Sequence, residues 1–259
     1  RLLTLPSDKY LLQQMSPMDP LALARAKHNL ECALAQELEP LLRARLATAG
    51  QTGHYDPSPV AAGERALRNL ALTWLNQAAI ADSKTRAAQQ YAQANNMSER
   101  LGALRALMSR SHGDSVLQQA LADFYDQHQD DPLVVDKWFA LQATAPNTTI
   151  DDIEKLIEHP AFTYRNPNRL RALLFQFCLN NPLGFHVANG SGYRFWAKHV
   201  IQIDQSNPEV AARLARALDH WTHHAEPARS QMGEALKHIA QSDALSGNTR
   251  EIVTKALTL

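Results

Sequence analysis

At six places an asparagine, aspartate or serine stands directly before a proline that opens a run of helix-forming residues: Asp19-Pro20, Ser58-Pro59, Asp131-Pro132, Asn166-Pro167, Asn181-Pro182 and Asn207-Pro208. A polar side chain so placed accepts a hydrogen bond from one of the orphan amides in a helix's first turn. The proline behind it fills a position whose N–H would find no partner. Each pair therefore predicts a helix start. Asn248-Thr249-Arg250-Glu251 reads as a capping box for a last helix, and Gly50, Gly53 and Gly113 stand where helices should stop.

Between these marks the apolar residues keep a helical period. Leu67, Leu70, Ala71, Trp74 and Leu75 form one stripe, and Val116, Leu117, Ala120, Leu121 and Phe124 another. Val134, Val135, Trp138 and Phe139 repeat it, as do Leu170, Leu173, Leu174 and Phe177, and then Ala211, Leu214, Leu218 and Trp221. Ala, Leu, Arg and Gln, all good helix formers, fill the spaces. The stripes recur roughly every 15–25 residues with short polar links, which suits antiparallel helix pairs stacked side by side. No strict repeat is visible, which argues against a tetratricopeptide or ankyrin array. The expected fold is all-α: a superhelical α-α solenoid of stacked antiparallel helix pairs, forming a single domain over residues 1–259. The link from Thr48 to Pro59 is expected to join two helices within that solenoid.

Charge narrows the class of function. Lys plus Arg and Asp plus Glu number 26 each, so the formal net charge is zero. A nucleic-acid binder normally carries a basic excess to neutralise phosphates. No apolar run approaches the roughly 20 residues that cross a bilayer. The opening Arg1-Leu2-Leu3-Thr4-Leu5-Pro6 lacks the length and cleavage site of a signal peptide, and there is no initiator Met. The chain is therefore expected to be a piece of something longer, in the cytoplasm. Cys32 and Cys178 sit among apolar residues and read as buried free thiols of a reducing compartment.

A search for chemistry finds no His-Glu-x-x-His, no Cys-x-x-Cys, no Walker loop, no Gly-x-Gly-x-x-Gly and no Gly-x-Ser-x-Gly. Gly190-Ser191-Gly192-Tyr193 reads as a turn, the alternative being amides offered to an anion at a helix start. His220 and His224 have the i, i+4 spacing of a ligand pair, but no partner helix offers further ligands. With His223 they read as solvated histidines at a helix C-terminus. Asp136-Lys137-Trp138-Phe139 reads as core packing by the two aromatics with Lys137 exposed. Arg169 and Arg171 open the helix after Asn166-Pro167. Arg213, Arg216 and His220 fall at i, i+3, i+7 on a face away from Leu214 and Leu218, with Glu209 placed to pair with Arg213. A solvated face and a carboxylate-binding arginine are both open readings.

Several words of the sequence resemble a known family. Asn95-Asn96-Met97-Ser98, Asp131-Pro132-Leu133-Val134-Val135-Asp136-Lys137-Trp138-Phe139, His159-Pro160-Ala161-Phe162, Asn166-Pro167-Asn168-Arg169 and Asn207-Pro208-Glu209-Val210-Ala211-Ala212-Arg213-Leu214 are similar to the C-terminal helical domain of the bacterial aminopeptidase N group of M1 zinc aminopeptidases. Leu5-Pro6-Ser7, Met18-Asp19-Pro20, Gly190-Ser191-Gly192-Tyr193 and Thr254-Lys255-Ala256-Leu257 continue the likeness, which covers nearly the whole chain in order. The resemblance implies a non-catalytic domain that caps the active-site cavity and lines the peptide entry channel. Zinc and the chemistry that removes N-terminal residues from short peptides would belong to a catalytic domain of the same polypeptide. The chain by itself would bind no metal and would be inactive. Matching words carry two channel residues over, Arg171 and Arg213. Glu209 departs from the Gln usual in relatives and is a candidate modulator of Arg213. A reading from another class is a free-standing helical-repeat scaffold that binds a partner protein in its groove.

Overall fold

The computed structural model describes residues 5–48, 55–110 and 113–258, so Gly50, Gly53 and the opening Arg1-Leu2-Leu3-Thr4 lie outside the described residues. In chain order the helices are α1 (Asp8–Gln13), α2 (Pro20–Glu37), α3 (Glu39–Thr48), α4 (Pro59–Gln77), α5 (Ser83–Gln93), α6 (Met97–Met108), α7 (Ser115–His128) and α8 (Pro132–Ala143). Then come α9 (Ile150–Ile157), α10 (Pro167–Leu170), α11 (Gln176–Asn180), α12 (Pro182–Phe185), α13 (Ser191–Asp204), α14 (Pro208–Ala215), α15 (Ala228–Ala240) and α16 (Gly247–Leu257). The described residues hold no strand beyond one isolated bridge between Met18 and His224. No described helix is long and apolar enough to cross a membrane.

All six Asx/Ser-Pro pairs head a helix. Asp19 accepts from the Ala22 amide at 2.9 Å, Ser58 from Ala61 at 3.3 Å, Asp131 from Leu133 at 3.0 Å and Asn166 from Asn168 at 2.9 Å. Asn181 accepts from Gly184 at 2.9 Å and Asn207 from Val210 at 3.1 Å. Gly113 sits between α6 and α7 at φ +73°, a left-handed conformation that glycine adopts without strain.

The chain forms two compact units, one of residues 1–25 and 148–259, the other of residues 26–147. The described residues on both sides of the 48–59 link fall in the second. There, Asn69 donates to the Ser98 carbonyl at 3.0 Å and Asn76 to the Ala106 carbonyl at 2.6 Å. Partners advance in the same direction along both helices, so α4 and α6 run parallel while α5 returns between them in sequence. Gly102 lets α4 and α6 approach: a Cβ there would stand 2.3 Å from the Asn69 side chain. Trp138 and Phe139 are core residues as expected, and the Trp138 indole ties α8 to the Leu121 carbonyl of α7 at 2.9 Å.

The first unit repeats the arrangement. Thr249, in the first turn of α16, lies 3.4 Å from the Pro208 carbonyl that opens α14. At the other end the Trp221 indole donates to the Ala256 carbonyl at 2.8 Å. Helices α14 and α16 are thus parallel, with α15 between them in sequence. Antiparallel neighbours with parallel next-neighbours are the local pattern of an α-α solenoid.

Three expectations need correction. The last helix is capped by Ser246, which accepts from the Thr249 amide at 3.3 Å; Asn248 lies inside the helix. Buried Asp204 causes this, because its carboxylate collects the Ser246 amide, the Ser246 hydroxyl and the Thr249 hydroxyl. Second, α14 stops at Ala215 and gives way to 3₁₀ turns at Arg216–Leu218 and Trp221–His223, so Arg213, Arg216 and His220 share no continuous α-helical face. Trp221 draws the chain off the α14 axis: its indole is tied to α16, and its ring covers Gly233 of α15, where a Cβ would stand 2.8 Å away. Third, Cys178 is buried but Cys32 is only partly so, its Sγ lying 3.6 Å from His28 Nε2. Sequence neighbours on a helix point about 100° apart, so apolar flanks do not by themselves bury a residue. Leu30 is itself 47% exposed.

Candidate functional site

Arg171 stands at a change of helix type. After α10, residues Arg171–Phe175 form a π-helical turn before α11 resumes. Such turns are rare and widen the helix by one residue. Leu170, Leu173, Leu174 and Phe177 are all fully buried, so the apolar stripe read from the sequence holds this segment in the core. The two nearby arginines part company. Arg169 is 6% exposed, and its charge, after burial itself, holds the His159 imidazole below its usual pKa. Arg171 is exposed, and its Nη1 donates to the Asn168 side-chain carbonyl at 3.2 Å.

Arg213 lies in the last turn of α14, exposed, between buried Ala211 and Leu214. Glu209, in the first turn, is exposed too. The expected i, i+4 pair between them is not made: among the described residues no ion pair joins Glu209 to Arg213. Arg216 is held by its own carboxylate, with Nε 2.9 Å from Asp219 Oδ2. Of the two arginines, Arg216 alone is held in an ion pair among the described residues. No hydrogen bond or ion pair joins Arg171 to Arg213 or Glu209 among the described residues.

The histidines behave differently from the expectation. His220 and His223 are exposed, but His224 is half-buried. Its ring stacks on His186 with centroids 5.9 Å apart at 23°. His186 Nδ1 lies 2.9 Å from the Tyr193 hydroxyl. Burial, then the neighbouring imidazole, pushes the His186 pKa down to about 3. Burial, then His220 and His223, takes His224 down to about 4 against a small opposing pull from Asp19. Both rings are neutral at neutral pH. They lie beneath the bridge at which the Met18 amide donates to the His223 carbonyl at 2.8 Å and the Ala225 amide to the Met18 carbonyl at 2.9 Å. His186 gave no signal in sequence, since its partner lies 38 positions on (224 − 186). Among the described residues no group of three or more His, Cys, Asp or Glu is placed to hold a metal ion.

Gly190-Ser191-Gly192-Tyr193 is a tight corner. Gly190 sits at φ +69° as the N-cap of α13, and a Cβ on Gly192 would stand 1.8 Å from the Phe185 carbonyl oxygen. The glycines are required by geometry of the backbone itself.

Comparison with known proteins places the whole chain. A family model described as a domain of unknown function (DUF3458_C), ARM repeats, matches residues 1–258. Aminopeptidase N of Caulobacter vibrioides is 35% identical over 257 residues, covering 99% of this chain and 30% of that protein. Aminopeptidase N of Haemophilus influenzae is 35% identical over 262 residues, covering 99% of this chain and 29% of that protein. Aminopeptidase N of Escherichia coli K12 is 34% identical over 259 residues, with the same two shares. A crystal structure of Legionella pneumophila aminopeptidase A in complex with aspartic acid superposes with a TM-score of 0.86 at 30% identity, over 99% of this chain and 31% of that one. The chain thus spans less than a third of the length of each of these relatives.

Proposed function

The chain belongs to the DUF3458_C ARM-repeat family, and on that premise we propose that it serves as the non-catalytic C-terminal domain of an M1 zinc aminopeptidase. The observation that carries this reading is the pattern of coverage: 99% of the chain is used by the match, against 29–30% of each aminopeptidase N. Under this reading the domain caps the active-site cavity and lines the channel by which short peptides enter. Zinc and the hydrolytic groups belong to a catalytic domain elsewhere in the same polypeptide, and the protein works in the cytoplasm as a single helical domain over residues 1–259. Arg171 and Arg213 meet the carboxylate end of the peptide with the planar guanidinium fork, and Glu209 tempers the field at Arg213. Binding energy spent there positions the peptide, while the chemistry occurs elsewhere.

The test is complementation. The chain is mixed with a separately produced zinc-containing catalytic fragment, and hydrolysis of a short peptide is followed with each piece alone as control. Activity, or a changed peptide-length preference, is expected only in the mixture. Two folded pieces that neither bind nor alter each other's activity would favour the free-standing scaffold.

A further inference from the structure

Asn189-Gly190 is the one place in the sequence where an asparagine precedes a glycine. Such a pair carries chemistry of its own. The backbone nitrogen of the second residue can attack the side-chain amide carbon of the first, and glycine has no Cβ to hinder the approach. A C–N bond forms and closes a five-membered imide. The bond from the same carbon to the side-chain nitrogen breaks, and ammonia leaves carrying the proton of the backbone amide. Water then opens the imide at either carbonyl, leaving aspartate or isoaspartate. Water is the only co-reactant.

The structure puts this pair on the surface and ties down the groups that would react. Asn189 is exposed, in the turn ahead of α13, with Gly190 as the N-cap of that helix. The Asn189 Oδ1 accepts from the Ser191 amide at 2.9 Å, and its backbone carbonyl accepts from Arg194 Nη1 at 3.0 Å. The attacking nitrogen, that of Gly190, donates to the Val187 carbonyl at 2.9 Å. Gln231 of α15 closes the corner from the far side. Its Nε2 donates to the Ala188 carbonyl at 3.0 Å, and a Cβ on Gly190 would stand 2.9 Å from its side chain. Ring closure requires the Gly190 nitrogen to leave Val187 and the Asn189 side chain to turn away from Ser191.

We propose that Asn189 is a site of spontaneous deamidation, that the folded corner ahead of α13 gates the reaction, and that the corner accepts the aspartate product. Local opening of the turn exposes the reacting atoms, so the rate follows the population of the open form. A carboxylate at Asn189 keeps an acceptor for the Ser191 amide. It also gains from the helix dipole and from Arg194 one turn into α13. The site is separate from Arg171 and Arg213 and does not depend on the aminopeptidase reading.

The full chain is held at mildly alkaline pH, folded and in guanidinium chloride. Mass spectrometry of the peptide that carries Asn189 follows the amide-to-acid conversion. Asn168, which is also exposed but precedes Arg169, is the internal control. In denaturant Asn189 is expected to convert ahead of Asn168. It is also expected to convert about tenfold or more faster there than in the folded protein, the worth of the two hydrogen bonds that must part. Arg194→Ala, at an exposed position, frees the Asn189 carbonyl and is expected to raise the folded-state rate a few-fold. Asn189→Asp is expected to melt no lower than the parent. Equal rates in the folded and unfolded protein overturn the proposal, as does conversion at Asn189 no faster than at Asn168 in denaturant. A folded-state rate unmoved by Arg194→Ala, or a lowered melting temperature in Asn189→Asp, likewise overturns it.

Discussion

The imidazoles of His186 and His224 stack 5.9 Å apart although neither belongs to the other's helix, and both are held neutral by burial. His199 on α13 is a third such ring, 1% exposed, with Nδ1 2.8 Å from the Tyr164 hydroxyl. Burial keeps its pKa low despite the pull of Glu154.

These histidines set an acid limit on stability. Their folded pKa values lie below the ordinary 6.5, so as pH falls the unfolded chain takes up protons first. Their contribution is fully present above about pH 6.5 and is lost as pH falls toward 3 to 4. For His186 the loss is about 1.4 kcal/mol per pH unit, and it is smaller for His224, whose partial exposure lets solvent screen the penalty. Urea midpoints should hold between pH 7.5 and about 6.5 and then fall as the pH is lowered to 4.5. His224→Gln should flatten that fall, and a midpoint unchanged across the range would contradict the neutral stack.

Asp204→Ala should destabilise the first unit by about 3 kcal/mol, because it leaves the Ser246 amide and the buried Thr249 hydroxyl without their acceptor. The loss appears as a lower melting temperature. Asp204→Asn, which keeps one carbonyl acceptor, should recover part of it.

Gly192→Ala should be more damaging, by about 3 kcal/mol or more, since the new methyl meets backbone at Phe185 that cannot rotate away. Gly63→Ala, where a Cβ meets nothing within 4 Å, should be neutral or stabilising by about 0.5–1 kcal/mol in the same thermal melt.

What could be read in the sequence was local. The Asx-Pro caps and apolar stripes act within one or two turns, so α4, α7, α8 and the buried Leu170–Phe177 stripe were legible from spacing alone. What failed depended on distant residues. Asp204 moved the cap of α16 across 42 positions, from Asn248 to Ser246 (246 − 204). Trp221 bent the chain after Ala215 through a carbonyl 35 positions on. The neutral histidines likewise arise from packing between elements distant in sequence, on which a one-helix pattern is silent. Arg213 and Glu209 were placed correctly on one short helix, yet propensity for an i, i+4 pair did not make one. Exposed pairs of this kind gain little, and side-chain entropy readily cancels the gain.

That same absence sharpens the test of Arg213. A guanidinium with no ion pair among the described residues has its fork available, whereas Arg216, three residues on, is committed to Asp219. Under the proposed function, Arg213→Ala and Arg171→Ala in the full-length protein should each raise KM for tri- and tetrapeptides with a free carboxylate. The size follows from a charge-assisted hydrogen bond of about 1.5–3 kcal/mol, or roughly tenfold to a hundredfold. Turnover should hold, since uniform binding of substrate and transition state alters KM alone. Peptides with an amidated C-terminus should show little difference between variant and parent. Arg216→Ala, which breaks only a surface pair, should stay within about twofold. Glu209→Gln should lower KM for the free acids by removing a competing negative charge. Steady-state kinetics on the acid and amide series would decide this. Unchanged KM in both Arg213→Ala and Arg171→Ala would leave these arginines as solvated helix surface.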